Sequence, residues 1–153
     1  MAKRRLAAAP GWFTLDPERP ELIGLRGTTS GSVCFPPCLA VSANPGAPFE
    51  ERLPVRLSRR GRVWSFSTGH YPPPAPYVAP DPFVPYTVVA VELEREGIVV
   101  LGQLAAGFAA RDLRLGQEME LVLGTLYQDA ESETLVWKWR PAADAGGRGA
   151  GVP

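Results

Sequence analysis

Apolar and polar residues alternate with a period of two along much of the second half of the chain. Apolar side chains take every second position at 119–123 and again at 135–139, and small residues alternate with aromatic ones at 63–68. This alternation predicts strands that turn one face toward a core and the other toward solvent. We therefore expect a β domain that begins near residue 55.

Five strands are predicted in this domain, with one short helix between the third and fourth. Arg95-Glu96-Gly97 joins the second strand to the third, and its glycine is placed to take a positive φ, which is typical of a hairpin. The helix is expected at Ala105–Leu115, where Gly116 would end it, and the alternative for so short a piece is just a turn. This order is that of an OB-fold, a partly open Greek-key barrel. The predicted strands are 62–70, 86–94, 98–104, 119–127 and 134–140.

Four aromatic residues lie at alternate positions on the predicted strands, namely Trp64, Phe66, Trp137 and Trp139. OB-folds can stack nucleic-acid bases on such rings. Alternating aromatic residues more often fill the core of a barrel, and we favour that interpretation here.

The chain upstream of the strands has a different character. Residues 1–25 mix charges and prolines with two apolar clusters, which indicates a docking segment. Residues 26–54 are rich in turn formers and prolines and predict an irregular lobe. The barrel is expected at 55–141, followed by a disordered Gly/Ala-rich tail at 142–153.

A proline-rich loop separates the first two predicted strands. Residues 71–85 contain seven prolines, so this stretch cannot donate regular ladder hydrogen bonds. A polyproline-like frame presents side chains such as Tyr77 and Phe83 to a partner with little ordering cost. The alternative is a loop folded back over the mouth of the barrel.

Composition narrows the functional classes. The chain of 153 residues has no net charge, which removes the bulk electrostatic argument for nucleic-acid or anionic-membrane partners. Its 17 prolines and 16 glycines suit short strands and many turns. No apolar run is long enough for an export signal or a membrane helix. With only two cysteines, Cys34 and Cys38, we expect a reducing, cytoplasmic location.

Several short motifs resemble a family of bacterial and archaeal proteins with an N-terminal zinc ribbon of the rubredoxin type and a C-terminal OB-fold. The resemblance spans residues 10–141. The motifs that carry it are Gly11-Trp-Phe-Thr-Leu-Asp16, Leu22-Ile-Gly-Leu-Arg-Gly-Thr-Thr-Ser-Gly31, Phe35-Pro-Pro37, Gly61-Arg-Val-Trp-Ser-Phe66, Val99-Val-Leu-Gly-Gln103, Leu113-Arg-Leu-Gly116 and Leu135-Val-Trp-Lys-Trp-Arg-Pro141.

The resemblance implies a role in lipid metabolism. Members of this family look like non-catalytic accessory subunits of thiolase-superfamily enzymes, including lipid-transfer-protein-like thiolases and aldolases that shorten steroid side chains held as acyl-CoA. The OB subunit binds the enzyme and helps to form its acyl-CoA site. By resemblance, we expect a hetero-oligomer with a thiolase-like partner and acyl-CoA at the shared interface.

The sequence departs from the family at its metal site. Two cysteine pairs hold zinc in the family, but the stretch that matches the first pair is Arg26-Gly-Thr-Thr-Ser-Gly31, and the best match to the second is Val41-Ser-Ala-Asn-Pro45. Cys34, Cys38 and the single histidine do not complete a four-ligand site. We therefore expect no zinc and no other cofactor, and a degenerate lobe at 26–54 that is more ordered in the complex than alone.

Candidate contact residues fall into two groups. Arginines crowd the approach to the first barrel strand, where they could meet phosphate groups or simply be solvated. The candidate contacts to substrate or coenzyme A are His70, Tyr71, Arg59, Arg60 and Arg62. The candidate contacts to a protein partner are Trp12, Phe13, Phe35, Tyr77 and Phe83.

These features are compatible with three functions. The first is the accessory subunit described above. The second is an OB module that binds single-stranded nucleic acid, which the barrel and the arginines favour and the zero net charge opposes. The third is a stand-alone enzyme, for which the sequence offers no set of nucleophile, base and orienting group. His70 is more simply a structural histidine, so we predict no catalytic residue.

Overall fold

The computed structural model describes residues 3–37, 42, 44–75 and 81–143, and these ranges form nine strands and no α-helix. The predicted mainly β class is confirmed. No helix in these ranges is long and apolar enough to cross a membrane. The strands are β1 (Arg4–Ala7), β2 (Ile23–Gly27), β3 (Val33–Cys34), β4 (Arg52–Arg56), β5 (Arg60–Gly69), β6 (Tyr86–Leu93), β7 (Ile98–Leu104), β8 (Glu118–Gln128) and β9 (Ser132–Pro141).

The last five strands close into a barrel. Going round it, the order is β5, β6, β7, β9 and β8, and β8 pairs again with β5. Only the β7–β9 pairing within the barrel is parallel. The predicted hairpin is present, because β6 and β7 pair from Val88↔Gln103 to Leu93↔Ile98 and Gly97 has a φ of 71°. The predicted OB barrel is therefore confirmed.

The N-terminal segment adds a strand to this sheet. β1 runs parallel to β9, from Arg4↔Ser132 to Ala7↔Leu135. Farther along the segment, Phe13 forms an isolated bridge with Leu22. This part of the chain therefore docks on its own barrel.

A second, three-stranded sheet lies between the N-terminal segment and the barrel. Its central strand β2 pairs antiparallel with β3 and with β4, from Ile23↔Arg56 to Gly27↔Arg52. We call residues 23–56 the lobe. The zinc-ribbon origin of the lobe and the predicted domain boundaries stay predictions, and the predicted tail lies outside the described residues from position 144 onward.

A bulge in β5 changes which face its aromatic residues occupy. Val63 pairs with Val91, but the next pair is Ser65 with Ala90, so Trp64 has no partner of its own. Val63 is buried and Phe66 packs against the core, whereas Trp64 is 62% exposed. The prediction that Trp64 fills the core is wrong, because an extra residue in one strand reverses the inward and outward positions beyond it.

Of the two expectations for Ala105–Leu115, a short helix or just a turn, the structure shows the turn. Only a 3-10 turn forms, at Ala110–Asp112. Gly107 has a φ of 92°, a conformation that interrupts a right-handed helix. The end of the segment agrees better with expectation, since Gly116 has a φ of 80° and its N–H donates to the carbonyl of Val63.

One apolar core joins the lobe to the barrel. It includes Phe13 and Leu22 from the N-terminal half and Trp139 from the barrel, all nearly inaccessible to solvent. Because these side chains pack in one cluster, the N-terminal half and the barrel share one core. The buried members are Phe13, Leu22, Val33, Leu57, Val63, Val89, Val91, Leu93, Val100, Leu104, Leu113, Met119, Leu121 and Trp139.

Candidate functional site

A basic groove lies where the lobe, the N-terminal segment and the barrel meet. Its volume is about 560 Å³. Residues 57–59, between β4 and β5, line it together with Arg95 of the β6–β7 turn. The charged lining residues are Arg19, Glu21, Arg56, Arg59, Arg60 and Arg95.

Three of these arginines are held by acceptors of the chain. The Nε of Arg59 donates to the carbonyl of Pro20 at 2.9 Å, and its Nη2 lies 3.8 Å from a carboxylate oxygen of Glu120. Arg60 lies 3.0 Å from Glu118. Arg56 is 4.0 Å from Glu21, the limit of an ion pair. These contacts orient the guanidinium groups and partly neutralise them.

The other two arginines lack such contacts with the described residues. Arg19 and Arg95 are exposed, and neither guanidinium forms an ion pair or hydrogen bond with the part of the chain that the structure describes. Five arginines and one glutamate line the groove, so its charge is positive although the whole chain is neutral. Guanidinium groups bind phosphate and carboxylate groups well. The groove is therefore suited to an anionic ligand.

The structure separates the predicted substrate contacts into two places. Arg59 and Arg60 line the groove, and Arg62 lines a smaller neighbouring one, where its Nε lies 3.1 Å from Glu94. His70 and Tyr71 follow the opposite end of β5, about 30 Å of strand from Arg60. Both are exposed, so the five residues do not form one site.

Arg19 and Arg95 of the groove were not among the contact residues predicted from the sequence. Arg19 comes from the N-terminal segment and Arg95 from a hairpin turn. Their approach to Arg59 depends on how distant segments pack. The cluster of arginines before β5 was the only available signal.

A second groove, of about 520 Å³, lies at the other end of the barrel. The ends of β5 and β6 contribute Thr68 and Thr87, whose hydroxyl oxygens lie 3.0 Å apart. Lys138 of β9 also lines it, and burial lowers the pKa of its amine. This lysine was not predicted as a site residue, although its place between Trp137 and Trp139 could have drawn attention to it.

Three of the aromatic residues predicted to contact a protein partner pack instead around a tryptophan of the same chain. Trp12, Phe13 and Phe35 surround Trp137, with ring centroids 6.2, 5.5 and 5.6 Å from that of Trp137. Phe13 is only 4% exposed, so its ring is engaged within the chain. Trp12 and Phe35 are half-buried, and their contact with a partner stays a prediction.

Of the two partner candidates in the proline-rich loop, Phe83 and Tyr77, the described residues include only Phe83. Phe83 packs edge-on against Tyr86 at 6.2 Å. Tyr77 lies outside the described residues, as does Cys38. The interface role of this loop therefore stays a prediction.

An exposed apolar face lies on the outside of β5, β6 and β7. Ala90 of β6 pairs with Ser65, next to Trp64, on one side and with Leu101 on the other. Trp64 and Leu101 are each more than 60% exposed, whereas Ala90 is buried. We call Trp64, Ala90, Leu101 and the adjoining Val99 the outer face. Contiguous exposed apolar side chains are typical of protein-binding surfaces.

The lobe contains a carboxylate with an unusual set of partners. Glu50 accepts hydrogen bonds from the N–H groups of Thr29 and Ser30 at 3.0 and 2.9 Å. It also accepts from the hydroxyls of Ser30 and Ser42, each at 2.6 Å. The Ser30 hydroxyl, the Ser30 N–H and the Ser42 hydroxyl, in that order, lower the pKa of Glu50 to about 2.

The residues around this carboxylate do not fit zinc. They supply hydroxyl and amide groups where a structural zinc site needs thiolates or imidazoles. Cys34 is buried in β3. Among the described residues, no three histidine, cysteine or acidic side chains are grouped to hold a metal ion.

Comparison with known proteins identifies the barrel. Residues 54–124 match the sequence model of one family, described as the ChsH2 C-terminal OB-fold domain. This part of the chain is similar to that family. The match runs from β4 into β8 and so covers most of the ChsH2-type barrel. No curated protein matches the chain by sequence.

A solved structure is similar over a longer range. A chain of the Ltp2-ChsH2(DUF35) aldolase is 27% identical, with a TM-score of 0.56. The alignment covers 80% of this chain and 86% of that chain, so the likeness includes residues outside the ChsH2-type domain. The resemblance found in the sequence motifs is confirmed.

Proposed function

We propose that this chain is a non-catalytic accessory subunit of a thiolase-like enzyme. The observation that carries the proposal is the likeness to a chain of the Ltp2-ChsH2(DUF35) aldolase over 80% of the present chain. The ChsH2-type barrel supports the same assignment. We expect the reaction, a thiolysis, condensation or retro-aldol cleavage, to take place on the partner.

The arrangement of the chain's own reactive groups supports a non-catalytic role. His70 is exposed and makes no hydrogen bond to a described hydroxyl or carboxylate. Cys34 is buried in β3 of the lobe. Nucleophilic catalysis needs a nucleophile and a base within hydrogen-bond reach of each other.

The outer face is the surface that we assign to the enzyme partner. It combines Trp64 and Leu101, two large exposed apolar side chains, on a rigid three-stranded part of the barrel. Exposed tryptophans at the centre of apolar patches commonly dominate binding energy. The predicted contacts of Trp12, Phe35 and Phe83 would lie outside this face.

Co-expression with a thiolase-like enzyme tests the partner. Trp64→Ala is expected to weaken the complex about thirtyfold, the effect of losing one dominant contact. Leu115→Ala is the matched control, since Leu115 is 72% exposed but lies outside the outer face. Failure of the wild-type chain to bind any thiolase-type protein would contradict the accessory role. Equal effects of the two substitutions would contradict only the assigned surface.

We further propose that the basic groove binds the phosphate groups of an acyl-CoA at the shared interface. Coenzyme A carries a diphosphate and a ribose phosphate, and the five arginines of the groove supply matching donors. The acyl group is expected to extend toward the active site of the partner. Acyl-CoA thioesters of steroid side chains are the substrates that the sequence resemblance suggests.

Binding of coenzyme A to the complex tests the groove. The double variant Arg19→Gln/Arg95→Gln is expected to raise its Kd about two- to thirtyfold, since partly screened charge contacts contribute about 0.2–1 kcal/mol each. These two arginines are the best choice, because their removal leaves no carboxylate unpaired. Arg111→Gln is the control, in the 3-10 turn. Tighter binding of a single-stranded oligonucleotide than of coenzyme A would favour the nucleic-acid module.

A further inference from the structure

Two loops of the lobe meet at the side chain of Glu50. One loop joins β2 to β3 and contains Thr29 and Ser30, and the other contains Ser42. Glu50 lies just before β4, and its carboxylate is bonded to both loops. It therefore connects parts of the lobe that the ladders of the three-stranded sheet do not join.

The two loops present their serines in the same way. The Ser30 hydroxyl donates to Glu50 and accepts from the N–H of Ser32, at 3.1 Å. The Ser42 hydroxyl also donates to Glu50 and accepts from the N–H of Asn44, at 3.2 Å. Each hydroxyl thus links the carboxylate to the backbone two residues farther on. The loops form two similar cradles around one anion.

The carboxylate is satisfied without a cation. Two N–H groups and two O–H groups donate to it, and charge-assisted bonds of this kind are shorter and stronger than neutral ones. Its oxygens accept from four donors, which is the arrangement that favours the ionised form. A neutral side chain of the same shape would lose this advantage.

Gly27 makes room for the carboxylate. A Cβ at position 27 would overlap both the carboxyl carbon and the oxygens of Glu50. Gly27 has no positive φ, so its backbone would accept other residues. Steric contact with Glu50, and not backbone conformation, therefore restricts this position to glycine.

These positions coincide with those where the family resemblance implies zinc ligands. Gly27 and Ser30 stand at the two cysteines of the first pair, and Ser42 lies in the stretch that matches the second pair. Thiolates donate electron pairs to a metal cation, whereas hydroxyl and N–H groups donate hydrogen bonds to an anion. The chemistry of the site is reversed, with an anion at its centre in place of a cation.

We propose that the carboxylate of Glu50 takes the structural place of a metal ion in this lobe, linking its two loops through hydrogen bonds from Thr29, Ser30 and Ser42. The lobe is therefore closed without a metal. Glycine at position 27 and serine at positions 30 and 42 are the residues that make this possible. The inference concerns the lobe alone and does not depend on the proposed partner.

A double-mutant cycle on the full chain tests the contact between Gly27 and Glu50. Gly27→Ala is expected to lower the Tm by several degrees in the wild-type background, because the added methyl group displaces the carboxylate. In the Glu50→Ala background, Gly27→Ala is expected to lower the Tm by less than about a third of that shift, because the space of the carboxylate is then empty. Equal shifts in the two backgrounds would overturn the proposal.

Hydrogen exchange measures the loops directly and does not require a change in global stability. Glu50→Gln is expected to speed exchange at the N–H groups of Thr29 and Ser30 about tenfold, the effect of losing a charge-assisted bond. Glu51→Gln, the exposed neighbour, is the matched control and should leave these amides unchanged. Equal protection in Glu50→Gln and wild type would overturn the link.

Chelation distinguishes a carboxylate from a metal. Exchange at Thr29, Ser30 and Asn44 is expected to be the same with and without excess EDTA. The metal content of the purified chain is expected to be well below one zinc per molecule. Loss of protection on chelation, together with stoichiometric zinc, would show that a metal holds the lobe and would overturn the proposal.

Discussion

The indole of Trp137, on β9 of the barrel, meets the ring of Phe35, from the lobe, at a centroid distance of 5.6 Å and an interplanar angle of 86°. Edge-to-face pairs of this kind add stability beyond the area that they bury. Trp137 also donates its indole N–H to the carbonyl of Leu101, which fixes the ring on the barrel. This residue therefore couples the lobe to the barrel.

Replacement of this ring should loosen the lobe. Trp137→Ala is expected to lower the free energy of unfolding by about 2 kcal/mol, less than for a fully buried tryptophan, because Trp137 is only partly buried. Trp64→Ala should change it by less than about 0.5 kcal/mol, because Trp64 is 62% exposed. Urea denaturation followed by circular dichroism measures both. Comparable losses in the two variants would contradict the coupling role.

Acid should weaken the lobe over a defined pH range. The pKa of Glu50 is lowered from 4.5 to about 2, first by the Ser30 hydroxyl and then by the Ser30 N–H and the Ser42 hydroxyl. A lowered folded-state pKa contributes stability above the unfolded-state value that is lost as the pH falls through the folded-state value. Protection of the Ser30 amide is therefore expected to decline between pH 4.5 and about 2.

The Glu50→Gln variant provides the comparison for this titration, since it has no carboxylate to protonate at that position. Its protection in the loops should be lower at neutral pH and should change little over the same range. Parallel pH profiles for wild type and Glu50→Gln would show that another group is responsible.

Two glycines of the barrel should differ sharply in their tolerance of alanine. A Cβ at Gly61 would overlap the backbone carbonyl of Glu92 and lie 2.7 Å from Val91. A Cβ at Gly124 would meet only the flexible side chain of Lys138. Gly61→Ala is expected to lower the free energy of unfolding by about 1–3 kcal/mol, as in other overpacked sites. Thermal unfolding should show a much smaller loss for Gly124→Ala, and a reversed order would refute the packing argument.

Lys138 should make stability depend on alkaline pH. Burial lowers the pKa of its amine below the ordinary 10.5, so the unfolded chain binds the proton more tightly. The free energy of unfolding therefore rises with pH between the lowered folded-state pKa and 10.5. Below that range the buried amine is charged, and its burial destabilises the folded chain by the full amount. Lys138→Met is expected to be the more stable protein at neutral pH and to lose its advantage near pH 10.5.

Denaturant unfolding at several pH values measures this difference. Lys3→Gln is the control, because Lys3 is exposed and bonded only to Gln128. A stability difference between Lys138→Met and wild type that is constant with pH would show that charge burial is not its cause.

Local features of the barrel could be predicted from the sequence. The alternation in β8 and β9 and the glycine of the β6–β7 turn depend on neighbouring residues, and their interpretation was confirmed. The bulge at Trp64 could not be predicted, because it depends on how β5 pairs with a strand that lies beyond the proline-rich loop. The choice between a helix and a turn at Ala105–Leu115 could not be made, because a periodic pattern did not reveal the conformation of Gly107.

For the candidate sites, too, some features follow from the sequence and others only from the tertiary structure. The motifs alone identified the family resemblance and the loss of the zinc-binding cysteines. The tertiary structure decided that Arg19 and Arg95 join Arg59 in one groove, and that His70 lies far from it. It also decided that Glu50 fills the space beside Gly27 and between two serines, although it follows Ser30 by twenty positions. Short-range periodicity and motifs record which residues are present, whereas a site depends on contacts between distant segments that only the closed barrel and the packed lobe bring together.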